Sequence, residues 1–294
     1  MVRGLFKSIT KVPEEPLLNA LAPLVSLMIA LLLVQGCSTS EETAQMTVEQ
    51  RFQLGMQEFK DEDYLQAYEE LRIVTLQFQG SAWADDAQYY MAECRFRRGE
   101  YILAAYEYQV LIQTMPTSEY VSRARYQRAL CYLNQSRAYY LDQQETKQAI
   151  DEFQTFIEYH PTDSLVLDAE AKIAELNAKL ARKEYENGIT YMKMEYYKSA
   201  LNSFDHVLEK YHDTPYAEQA QLKKAEAMMR RNRHNEAKQE IEKFFSKYPN
   251  SSLKGEAEEL RKEILSRLSQ SRVDAFHGQT TSSRMRVLLA RGSR

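Results

Sequence analysis

Along most of this chain, apolar and small residues recur at the i, i+3, i+4 spacing of one helix face, broken by short polar turns rather than by alternating runs. The stretch from Lys183 to Gln219 shows the pattern most completely. Gly188 stands on a first helical segment and Ala200 on a second, with Tyr197, Phe204, Val207 and Leu208 around Ala200 at helical spacing. Small residues let two helix backbones approach, and aromatics three and four positions away fill the space beside the contact. The spacing predicts an antiparallel helical hairpin whose apolar face is left uncovered unless further copies stack on it.

The copies are present. Gly55 with Ala67, Ala92 with Ala104 and Ala225 with Ala237 repeat the spacing, and Ala129 with Ala149 repeats it around an insertion, SRAYYLDQQET. Three positions before each second alanine stand Tyr64, Tyr101, Thr146, Tyr197 and His234, and four positions after it Leu71, Tyr108, Phe153, Phe204 and Ile241. Pro116, Pro161 and Pro249 close three of the units, with Gln79 and His212 in that place in the other two. The pattern predicts helix pairs at 47–60 and 63–78, at 82–98 and 100–114, and at 119–134 and 146–159. A long helix from Ser164 to about Met194 then opens unit four, and unit five pairs 215–231 with 233–247. A last helix at 252–270 carries Leu253, Ala257, Leu260, Ile264 and Leu268 on one face and caps the stack. The turns Gly80-Ser81, Pro116-Thr117-Ser118, Pro161-Thr162-Asp163, Asp213-Thr214-Pro215 and Pro249-Asn250-Ser251 are each expected to offer a side-chain oxygen that caps the next helix. Trp83, Tyr120, Leu165, Tyr216 and Leu253 are expected to pack on the preceding turns.

The small residue after Leu54, the alanine of the second helix, the aromatic four positions later and the closing proline resemble the tetratricopeptide repeat in register. The resemblance implies an all-α fold: a right-handed superhelix of about five such hairpins plus the C-terminal capping helix, spanning 47–270. Stacked hairpins share their burial, so the core is a ribbon rather than a ball.

Composition agrees with few breaks: 9 Gly and 7 Pro in 294 residues, 44% apolar and 27% charged. A net charge of −4 gives no reason to expect a nucleic-acid partner. The N-terminus changes the picture more. Arg3, Lys7 and Lys11 precede an apolar run from Leu17 to Val34, and Val34-Gln35-Gly36-Cys37 leads into a polar stretch. This is the layout of a bacterial export signal over 1–36, ending in what looks like a lipobox, with Cys37 as the lipidated residue and 37–46 as a linker. Gln35 stands where that motif prefers a small or aliphatic residue, and an uncleaved membrane helix is the alternative. Residues 271–294 read as a basic tail without periodicity. Of the three cysteines, Cys94 and Cys131 occupy equivalent positions of adjacent units. Such positions are roughly 10 Å apart, too far for a disulfide, so both are expected to be packing residues. His160, His206, His212, His234 and His277 have no zinc spacing, and no glycine-rich phosphate loop follows a strand. No catalytic residue, metal site or cofactor is expected.

The lipobox, the five repeats, the insertion with Asp142-Gln143 and Thr146, and the run from Ala171 to Asp213 come in an order that resembles the BamD family, also called ComL or YfiO. Leu180, Ala181, Lys183, Glu184, Gly188, Tyr191, Tyr197, Ala200 and Phe204 carry the likeness. The family often has arginine where this chain has Ser203, and proline where it has His212. The resemblance implies a lipid-anchored outer-membrane protein facing the periplasm, in the β-barrel assembly machinery. It implies N-terminal repeats that hold unfolded outer-membrane proteins and C-terminal repeats that dock on a BamA-type insertase, beside other assembly lipoproteins. Tyr197, Asn202, Ser203 and Asp205 on the 185–205 hairpin are the docking candidates. If first helices line a groove, Phe52, Phe59, Tyr89, Phe96 and Tyr126, with Arg97 and Arg123 nearby, suit an extended aromatic segment with a terminal carboxylate. The competing reading is another lipid-anchored repeat protein: a secretin pilotin, a polysaccharide-export adaptor or a division coordinator.

Overall fold

The computed structural model describes residues 46–271, so Cys37, the apolar N-terminal run and the basic tail lie outside the described residues. Among those residues there are eleven helices and no strand. Unit one pairs α1 (Val48–Lys60) with α2 (Tyr64–Gln77), and unit two α3 (Ala84–Arg97) with α4 (Tyr101–Thr114). Unit three pairs α5 (Val121–Gln135) with α6 (Gln144–Tyr159), and unit four α7 (Val166–Lys193) with α8 (Tyr197–Lys210). Unit five pairs α9 (Pro215–Arg230) with α10 (His234–Lys247), and α11 runs over 254–271. Each helix from α1 to α10 packs on its chain neighbours, and α7 also touches α9. This is the connectivity of a stacked hairpin array.

The five second alanines, Ala67, Ala104, Ala149, Ala200 and Ala237, are all fully buried, as the register requires. Opposite two of them the first helix carries glycine where the second helix crosses close by. A Cβ on Gly188 would stand 2.4 Å from the Phe204 ring, and one on Gly55 2.9 Å from Leu71 Cγ. The core is a ribbon of four clusters, and Tyr90, Tyr132 and Tyr211, each partly buried, join one cluster to the next.

Four hairpins turn through one residue in the left-handed region: Glu62 (φ 65), Gly99 (φ 74), Glu195 (φ 62) and Asn232 (φ 59). The following residue's N–H reaches back to close the helix end, as from Asp63 to Glu58 and from Tyr196 to Tyr191. Unit three lacks this turn because its insertion makes the connection. There the Gln143 amide donates to the carbonyls of Ala138, Leu141 and Asp142, and its oxygen accepts from Thr146. From α7, Lys179 Nζ donates to Ser136 Oγ at 2.7 Å, Lys183 Nζ donates to the Leu141 carbonyl at 2.6 Å, and Arg182 lies over the Tyr139 ring at 4.0 Å. The unusual length of α7 therefore serves two partners, hairpin three with its insertion and then α8.

One expectation is corrected. Ser118, Asp163 and Ser251 do not cap the following helices, since Tyr120 and Leu165 hold the N-cap positions and make no side-chain cap. Their oxygens accept from the N–H two residues on, at Tyr120, Leu165 and Leu253, inside a tight turn that precedes the helix. Thr214 is an N-cap, but its hydroxyl donates back to Tyr211 O instead, and the Ser81 hydroxyl finds no acceptor.

Candidate functional site

Two surfaces matter, and the first looks different from the sequence expectation. Phe52, Tyr89 and Tyr126 are buried rather than lining an open groove. The cause lies in the next unit. Phe52 packs on Trp83 with ring centroids 4.8 Å apart, Tyr89 stacks on Tyr120 at 4.5 Å, and Tyr185 meets Tyr216 at 5.8 Å. In units one, two and four the ring three before the small anchor and the one opening the next first helix are therefore partners across one seam. Tyr126 sits edge-on to Phe153 and Phe156 and donates its hydroxyl to Asp168. Removing any of these rings opens a core void. Phe59 and Phe96 are half-buried, edge-on to Tyr64 and Tyr101 respectively, and Arg97 and Arg123 are exposed. These four of the seven groove candidates keep surface open to a ligand, although Phe59 also meets Tyr90 of the next unit edge-on and Arg97 lies 3.8 Å from the buried Glu93.

On the hairpin that carries the docking candidates, Asn202 is exposed, Tyr197 is half-buried and Asp205 is held at 2.8 Å by Lys224 Nζ. Ser203 is buried, which removes it from any contact surface. Its position explains why. The same register in other units holds a buried carboxylate turned to its own first helix. Glu70 pairs with Arg51 at 2.5 Å, Glu107 accepts from Gln88 at 2.9 Å, and Glu152 pairs with Arg128. Glu240 takes Lys224 and the Gln221 amide, both at 2.7 Å. Burial opposes the Glu240 charge, but Lys224, Lys243 and Gln221 outweigh it and hold that carboxyl below its usual value. Unit four inverts the arrangement. Its first helix carries the acid, Glu184, with His206 Nδ1 at 3.7 Å, and its second helix carries the small Ser203. Beside this departure, Asp142, Lys147, Lys183, Glu184, His206 and Tyr211 line a polar cavity of about 280 Å³ between the insertion and α8.

Sequence reasoning passed over the exposed apolar residues around unit four: Tyr140 at the tip of the insertion, and Tyr191, Met194 and Tyr196 at the hairpin turn. Their signal was available, because each falls off the register that the buried positions follow. Cys94 and Cys131 are buried free thiols, as expected. Burial first, then the Glu93 charge, pushes the Cys94 thiol up to about 12 and raises Cys131 as well. Among the described residues, no group of His, Cys, Asp and Glu is placed to hold a metal ion.

Comparison with known proteins agrees with this register. Residues 219–251 match the tetratricopeptide repeat on their own. The chain is 26% identical to the outer membrane protein assembly factor BamD of Rickettsia prowazekii over 78% of its own length and 92% of that protein. It is 24% identical to the BamD of Caulobacter vibrioides over 70% of its length and 69% of that protein. Residues 44–234 match the YfiO family, described as outer membrane lipoprotein, from just before α1 to the first residue of α10, and on that match the chain belongs to the YfiO family.

Proposed function

We propose that this protein is a lipid-anchored scaffold for the assembly of outer-membrane β-barrel proteins. The observation that carries the reading is a family match whose range spans units one to four, supported by relatives named as assembly factors. Cys37 is the anchor, and it tethers the array to the outer membrane on the periplasmic side. The N-terminal units receive unfolded barrel segments. Phe59 and Phe96 offer ring edges to apolar side chains of such a segment, and Arg97 and Arg123 offer donors to a carboxylate. Unit four docks on the BamA-type insertase through Tyr197, Asn202 and Asp205, with Tyr191, Met194 and Tyr196 as apolar contacts. The work is non-covalent: binding one partner while presenting it to another.

The two roles separate by mutation. Phe96→Ala with Arg123→Glu removes none of the seam rings and spares the Arg97–Glu93 pair beside Tyr89, and is expected to weaken binding of an unfolded barrel segment while insertase association persists. Asn202→Arg is expected to do the reverse. Circular dichroism on each variant establishes folding first, because stacked repeats transmit damage to their neighbours. Joint loss of both activities in a folded variant contradicts the two-surface reading.

A further inference from the structure

The outward face of α4 differs from that of every other second helix. Its sequence, YILAAYEYQVLIQT, has one charged residue, Glu107, and that one is buried. Ile102 is 69% exposed, Tyr106 66% and Leu103 47%. The preceding second helix adds Leu65, 56% exposed and in register with Ile102. At the Ile102 position later units carry Lys147, Lys198 and Asn235, and at the Tyr106 position Asp151, Asn202 and Gln239. At these two positions the apolar outer face is therefore confined to the first two units, complete on α4 and reduced to Leu65 on α2, where Glu69 holds the Tyr106 position. Exposed aliphatic residues beside a tyrosine are the composition of a membrane-interface contact.

The chain preceding the array says what covers this face. From Cys37 to Thr47 is a tether that spans at most roughly 33–36 Å when extended. Helix α1 has 13 residues and is about 20 Å long, so a bilayer holding Cys37 lies within reach of the far end of hairpins one and two. We infer that the outer face of α4, with Leu65 of α2, lies on the phospholipid surface to which Cys37 is anchored, and sets the orientation of the array against the membrane. The inference rests on the anchor in the proposed function. Charge does not organise the contact. The turn of hairpin two carries Arg97 and Arg98, but that of hairpin one carries Asp61, Glu62 and Asp63, so contact is expected on zwitterionic lipid and in high salt.

The chain's one tryptophan makes the test clean. Trp83→Phe keeps a ring against Phe52 and removes the background emission. In that background, Tyr106→Trp and the same-register Gln239→Trp of unit five are each purified as the lipidated full-length protein. Both are reconstituted, with no other protein, into phosphatidylcholine vesicles containing brominated acyl chains. The inference predicts a blue-shifted, bromine-quenched emission for Tyr106→Trp and none for Gln239→Trp. Palmitate labelling of the same preparations reports the anchor independently. An anchored protein whose Tyr106→Trp emission is unquenched overturns the bilayer contact and leaves the anchor standing. Equal quenching at both positions overturns it too, because the array would then lie on lipid without a preferred face. Absence of palmitate label in the purified protein overturns the anchor itself and the inference with it.

Discussion

Gly188→Ala puts one methyl group where α7 and α8 cross. The new Cβ would stand 2.4 Å from Phe204 Cε1 and 2.8 Å from two further ring atoms, against an ordinary contact of about 3.7 Å. Phe204 is fully buried, with Tyr185 6.0 Å away, so the ring has no empty space to swing into and the helices must part by about an ångström. Overpacking of this kind costs about 1–3 kcal/mol. Replacing a helical glycine by alanine returns up to about 1 kcal/mol of propensity, which leaves a net loss of up to about 2 kcal/mol, toward the top of that range because the 2.4 Å approach is to a fully buried ring. Gly55→Ala is the control. Its nearest neighbour is Leu71 Cγ at 2.9 Å, a milder approach than that of the Phe204 ring, so propensity offsets more of the clash and the net loss is expected to stay under about 1 kcal/mol. Urea unfolding followed by circular dichroism gives the two differences. Phe204→Leu, alone and combined with Gly188→Ala, then closes a double-mutant cycle, and relief of the clash is expected to show as coupling of about 1 kcal/mol. A Gly188→Ala protein as stable as wild type, or strict additivity with Phe204→Leu, refutes the close-crossing argument.

Four other outcomes follow from the packing and the polar register. Ala200→Leu is expected to lose about 1–3 kcal/mol of stability, and exposed Gln66→Leu under about 0.5 kcal/mol, by the same unfolding assay. Ser203→Glu, which gives unit four the residue its neighbours carry, places a carboxylate in register with Glu184 rather than with Arg or Gln. It is expected to cost about 3 kcal/mol, measured as a lower urea midpoint, and a neutral result would mean that the inversion has no electrostatic content. Glu195→Gly removes a side chain from a left-handed turn and is expected to add up to about 1 kcal/mol of stability, read as a higher urea midpoint. The Cys94 thiol has its folded value raised from 9.0 to about 12, so the stability linked to it is complete below pH 9 and lost as pH climbs toward 12. At pH 8 its alkylation by iodoacetamide is expected to follow global unfolding, and rapid labelling of the folded protein would contradict its burial.

Much of this was legible in the chain because a repeat states its register several times over. The five alanines, the helix limits and the length of α7 all came from periodicity, which local sequence carries. Residues whose partner lies in the next unit were harder to read. Phe52 and Trp83 belong to two separate offset patterns, and nothing in either pattern says that they face each other, so Phe52, Tyr89 and Tyr126 read as groove residues when they form the seam. Ser203 could have been read as buried from Glu70, Glu107, Glu152 and Glu240 at the same offset, had polar positions been registered as carefully as apolar ones. Glu62 and Glu195 at positive φ were not legible, because glutamate carries no left-handed preference and the turn is imposed by the helices on either side. The anchoring of the insertion by Lys179, Arg182 and Lys183 joins residues some forty positions apart and leaves no local trace.

The central claim is that unit four docks this lipoprotein on an outer-membrane insertase. Affinity purification of the tagged full-length protein from detergent-solubilised membranes, wild type beside Asn202→Arg, tests it most directly. The account predicts that a BamA-type insertase co-purifies with wild type and is lost from the folded Asn202→Arg variant, while barrel-segment binding by that variant is retained. Wild-type protein that brings down no insertase contradicts the account and leaves a lipid-anchored repeat adaptor for some other envelope machine.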